Sequence, residues 1–107
     1  MKQLVITMIA ALVVLAACGD SLLSKMELTS SCKGGSAAYG TVKNGSDSTV
    51  TIAIHVDFLD GDGAVVANGI GAASGVRPGT SGEWEATNIR GVAASGCRAR
   101  ISAVFPE

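Results

Sequence analysis

The sequence has 107 residues, a formal net charge of −1 and 48% hydrophobic residues. That length accommodates one domain rather than two. Charges so evenly balanced give no electrostatic argument for a nucleic-acid or anionic-membrane partner.

The apolar residues are concentrated at the N-terminus. Residues 1–17 hold 14 of them, which leaves the other 90 residues about 41% apolar, ordinary for a globular domain. Lys2 supplies one positive charge, and residues 4–14 are hydrocarbon broken only by Thr7. These are the charged and apolar regions of a secretion signal. The apolar run is shorter than the roughly 20 residues of a membrane-spanning helix. Leu15-Ala16-Ala17-Cys18 follows, and it resembles the bacterial lipobox. The resemblance implies a signal peptide over 1–17, cleavage before Cys18, and lipid on the Cys18 thiol. It also implies a cell-membrane location on the extracytoplasmic side. A lipidated tether over 18–25 would then lead into a domain over 26–107.

Cysteine usage agrees with that reading. Three cysteines are an odd number for a secreted chain, and lipidation of Cys18 leaves the pair Cys32 and Cys97. Outside the cytoplasm such a pair is readily oxidised. A bridge between cysteines 65 positions apart is worth about 4 kcal/mol in the chain-entropy view, a substantial gain for so small a domain. Neither cysteine has a second cysteine or histidine at zinc-ligand spacing, so a metal site is not indicated.

Beyond residue 25 the periodicity is that of strands. A weak first strand covers 26–32 and a second covers 37–43, where Asn44-Gly45 signals a hairpin turn. The clearest element covers 49–58. Val50, Ile52, Ile54, Val56 and Phe58 fall on one face of it, and Thr49, Thr51, His55 and Asp57 on the other. Asp60-Gly61-Asp62-Gly63 is hairpin chemistry, and residues 64–67 return. Pro78-Gly79 marks a further turn, and residues 83–86 place Trp84 and Ala86 together on a core-facing side. The last strand covers 97–103, with Cys97, Ala99, Ile101 and Ala103 inward and Arg98 and Arg100 outward. Six to seven short strands with regular turns predict an all-β fold, a small β-sandwich.

Residues 38–104 resemble the FxLYD domain, an immunoglobulin-like module of bacterial secreted and membrane-attached proteins. The likeness is carried by Gly40-Thr41-Val42-Lys43-Asn44, by Val56-Asp57-Phe58-Leu59-Asp60 at the position of the five-residue signature, by Gly63, and by Pro78-Gly79 ahead of Trp84. Asp60 matches the signature's closing aspartate, while Trp84 stands where that family carries phenylalanine. The resemblance implies the fold and no catalytic set.

Few residues suggest chemistry. Asp57, Asp60 and Asp62 are weak hard-oxygen candidates for calcium, but they lack EF-hand spacing, and a solvated turn explains them better. The glycines of 69–75 lack the lysine of a phosphate-binding loop, which leaves a bulged strand connection. His55, the only histidine, sits on a polar strand face with no motif to supply a nucleophile and an orienting group, and reads as a surface residue. Arg98 with Arg100, and Glu83 with Glu85, form charged outward pairs that serve either as cross-strand ion pairs or as a partner-binding face. The expectation is a non-enzymatic lipoprotein, without cofactor, that binds an envelope protein or a cell-wall component and not nucleic acid. A passive structural lipoprotein and a calcium-dependent module are the alternatives.

Overall fold

A computed structural model describes residues 22–107; the signal segment and Cys18 therefore lie outside the described residues. Seven strands follow: β1 (Met26–Leu28), β2 (Ser31–Lys33), β3 (Ala37–Asn44), β4 (Val50–Leu59), β5 (Val65–Val76), β6 (Ser81–Thr87) and β7 (Gly96–Pro106). They form two antiparallel sheets. In the first, β3 lies between β6 and an edge made of β1 and β2; in the second, β4 lies between β5 and β7. The chain changes sheet between β3 and β4, between β5 and β6, and between β6 and β7. The β3–β6 and β4–β7 pairings correspond to the B–E and C–F pairings of immunoglobulin-like sandwiches.

β4 is the central inner strand. Val50, Ile52, Ile54, Val56 and Phe58 are all fully buried, as strict alternation on a half-buried strand requires. They meet Ala38, Val42, Trp84 and Ala86 from the facing sheet. Trp84 is 3% exposed, yet its indole N–H finds no acceptor among the described residues. A buried donor without a partner costs about 1–3 kcal/mol, so Trp84 contributes packing at some expense in polarity.

β1 and β2 keep one register on β3, Leu28 opposite Val42 and Ser31 opposite Tyr39, and so form one edge strand with a local break. At the break the Thr29 hydroxyl, not its carbonyl, accepts the Thr41 N–H at 3.0 Å. The displaced Thr29 carbonyl oxygen lies where a Cβ on residue 40 would stand, so position 40 requires glycine.

Two expectations from sequence are corrected here. Asn44-Gly45 does not close a hairpin, because β3 and β4 belong to different sheets. Asn44 is instead a fully buried junction. Its Nδ2 donates to the carbonyls of Ser48 (2.7 Å) and Val76 (2.8 Å), and its Oδ1 accepts from the Ser46 N–H (2.8 Å) and hydroxyl (2.6 Å). Three chain segments are thereby joined without leaving a buried polar group unpaired. The second correction concerns β5, which runs well past residue 67, to Val76. Its inward positions are Ala67, Gly69, Gly71 and Ala73 because β6 presses against them. A Cβ on Gly71 would stand 2.6 Å from the Glu85 carbonyl oxygen and 3.3 Å from Trp84 Cε3. Residues 69–75 thus continue the strand, with a register shift of one residue near their end.

On the opposite side of the sandwich a disulfide joins Cys32 of β2 to Cys97 of β7, with Cα atoms 5.8 Å apart. One long side is closed by backbone packing of β5 on β6, and the other by this covalent bond.

The unpaired indole makes a specific prediction. Trp84→Phe removes the orphan donor along with some packing, and should leave the guanidinium unfolding free energy within about 1 kcal/mol of the parent. Trp84→Ala should lower it by about 3–5 kcal/mol. Equal losses in the two variants would show that the N–H is paired after all.

Candidate functional site

The outer face of the β5–β4–β7 sheet carries the densest polar arrangement. Antiparallel register stacks it in rows across the three strands. Asn68, Asp57 and Arg98 form one row, Ile70, His55 and Arg100 the next, and Ala72, Ala53 and Ala103 the third, with Thr51 opposite Phe105 beyond them. The register shift between Ala53 and Ile54 turns Ala103, expected inward from alternation, to this face and brings Val104 to the core instead. Asp57 is the centre. Its Oδ1 lies 2.9 Å from His55 Nε2 and accepts from Asn68 Nδ2 at 2.8 Å. Its Oδ2 meets Arg98 at 3.2 Å and Arg100 at 3.6 Å.

The Asp57 side chain is 11% exposed, while those of Arg98 and Arg100 are 64% and 61% exposed. The long cationic chains cover the carboxylate and keep their outer donors in water. Burial pushes the Asp57 carboxyl upward. The hydrogen bonds from His55 and Arg98 and the charges of His55 and Arg100 outweigh that push, so the group titrates below its ordinary value of 3.8. Two cations on one carboxylate leave an excess of positive charge facing outward. His55 belongs to this cluster and is half-buried rather than an isolated surface residue.

The three aspartates of the calcium alternative do not converge. Asp57 is taken up by its cations, while Asp60 Oδ1 caps the turn by accepting the N–H groups of Asp62 and Ala64 at 2.9 Å each. Among the described residues no group of three or more histidine, cysteine, aspartate or glutamate side chains could hold a metal ion. Asp57 accepts from Asn68 and Arg98 as well as meeting His55, so the imidazole is one member of a charge cluster.

The outer face of the other sheet holds a broad open groove of about 700 Å³, with Tyr39, Thr41, Glu83 and Glu85 along it. Lys33 crosses it, 3.7 Å from Glu85 and 5.7 Å from the Tyr39 ring centre. The acidic outward pair is therefore partly answered by a lysine that sequence spacing did not suggest. Asp57 was also missed as the centre of its cluster: alternation put it on the polar face, but only register shows that two arginines from β7 arrive beside it.

No family model, no curated protein and no solved structure matches the chain.

Because the folded carboxyl titrates below its unfolded value, its stabilising effect is full above about pH 4 and is lost as pH falls through the folded value. Asp57→Asn should lower stability at neutral pH by about 1–3 kcal/mol, the usual worth of hydrogen bonds to a charged group. It should also flatten the decline below pH 4. Parallel acid titrations of parent and variant, followed by circular dichroism, check this. Identical acid slopes would contradict it.

Proposed function

We propose that this chain is an exported lipoprotein, held by lipid on Cys18 at the extracytoplasmic side of the cell membrane. Its FxLYD-type sandwich works as a non-catalytic binding or accessory module for an envelope partner, either a protein or a cell-wall component. The observation that carries the first half is the Cys32–Cys97 bond, because it leaves Cys18 as the one remaining thiol, at the end of Leu15-Ala16-Ala17-Cys18. The fold also begins close behind that cysteine. Leu22–Lys25, inside the expected tether, already forms a turn, and the Lys25 carbonyl accepts the Gly45 N–H at 2.9 Å.

The cationic rim of Arg98 and Arg100 supports the second half. Asp57 fixes both guanidinium groups yet leaves them exposed, so little side-chain entropy is lost when a partner carboxylate or phosphate binds them. The calcium alternative is weakened by the engagement of Asp57. The passive structural alternative predicts an outer face without a partner.

Metabolic labelling with palmitate in the bacterial host tests the anchor. The parent should carry label and sediment with membranes, and Cys18→Ser should lose both; a labelled, membrane-bound serine variant would overturn the reading. In the same cells, chemical cross-linking should give one discrete adduct that disappears in Arg98→Gln/Arg100→Gln. Glutamine avoids crowding new carboxylates against Asp57. An adduct unchanged by that variant would move the partner to another face.

A further inference from the structure

We infer that one corner of the sandwich, carrying Leu23 and Phe105, is seated directly on the lipid surface. The inference rests on the lipid-anchor reading of Cys18. Only three residues separate Cys18 from Leu22. Four residue steps span at most about 14 Å even when fully extended. The point at which the chain enters the fold is therefore held close to the headgroups and cannot swing clear of them.

That point is rigid. The Lys25 N–H donates to the Leu22 carbonyl at 3.0 Å, the Lys25 carbonyl accepts from Gly45, and Met26 is buried in the core. The end of β7 arrives at the same corner. Met26 at the start of β1 lies opposite Asn44 at the end of β3, and Pro106 at the end of β7 lies opposite Val50 at the start of β4, so both occupy the pole where the chain crosses from β3 to β4. β7 is pinned there by Glu107. Its N–H donates to the Thr49 carbonyl at 2.9 Å, and its carboxylate accepts from the Thr51 hydroxyl at 2.7 Å and the Gly75 N–H at 2.9 Å.

The side chains displayed at this corner suit a bilayer boundary. The chain has two phenylalanines; Phe58 is fully buried, whereas Phe105 is 55% exposed. Leu23 is 37% exposed, and Lys25 lies exposed beside it. Apolar side chains next to a lysine form the pattern by which a protein surface settles at the headgroup–acyl boundary. The charges around this pole, Lys25, Lys43 and Arg77 against Glu27, Asp47 and Glu107, nearly cancel. The seat is therefore apolar in origin and needs no anionic lipid. With this corner down, the 12-residue β5 carries the opposite loops about 40 Å outward. The Asp57–Arg98 row lies in that outer half of the sheet, clear of the lipid and open to a partner.

The test uses full-length acylated protein in vesicles of phosphatidylcholine brominated near the carbonyl end of its acyl chains. In a Trp84→Phe background, single tryptophans are placed by Phe105→Trp, by Leu23→Trp and, at the opposite pole, by Ile89→Trp. Bromine should quench the first two at least twofold relative to unbrominated vesicles and leave Ile89→Trp unchanged. Protein that floats with the vesicles but shows equal quenching at all three positions overturns the seat and leaves the anchor standing. Protein that lacks lipid on Cys18 and fails to float overturns the anchor and the seat together.

Discussion

Closure of the sandwich along both long sides is the constraint on which the rest of the structure depends. On one side β6 presses so closely on β5 that Gly69 and Gly71 cannot carry side chains, because the Thr87 and Glu85 carbonyl oxygens stand where those side chains would begin. On the other side, β1 and β2 are three residues each and could not hold the edge by hydrogen bonds alone. The Cys32–Cys97 bond ties that edge to β7. A domain this small buries too little surface to neglect either side. With both closed, the β4 core is sealed and the outer face of its sheet becomes a rigid platform.

Much of this was legible in the sequence because β4 is governed by a local rule. A half-buried strand alternates, and all five residues that alternation placed inward are fully buried. The cysteine pair was legible for a different reason, since the odd thiol was already explained by its position behind an apolar signal. What the sequence concealed was tertiary. β5 looked complete at residue 67 because its later inner residues are small, and they are small because another strand lies against them. Asn44-Gly45 looked like a hairpin because the dipeptide is good turn chemistry in any setting, and the sheet to which the next strand belongs is not written in the dipeptide. Asp57 looked like one more outward carboxylate until register brought Arg98 and Arg100 to it.

The polar cluster and the proposed anchor reinforce each other. The proposed anchor on Cys18 would fix one pole of the domain near lipid, and the end of β7, paired with the start of β4, lies at that same pole. The same strand carries Arg98 and Arg100 toward the far pole, where Asp57 holds them extended. In the proposed orientation one strand would link a membrane-facing corner to an exposed cationic rim, the division expected of a module tethered at one end and binding at the other.

The most direct single measurement is the intact mass of the protein extracted from host membranes, taken before and after reduction and alkylation. The expected mass is that of residues 18–107 plus a diacylglyceryl group, with or without a further acyl chain, and less the two hydrogens lost in forming the bridge. Reduction should then expose two alkylatable thiols, those of Cys32 and Cys97, and no third. A mass without lipid, or a free thiol at Cys18, would contradict the account at its centre.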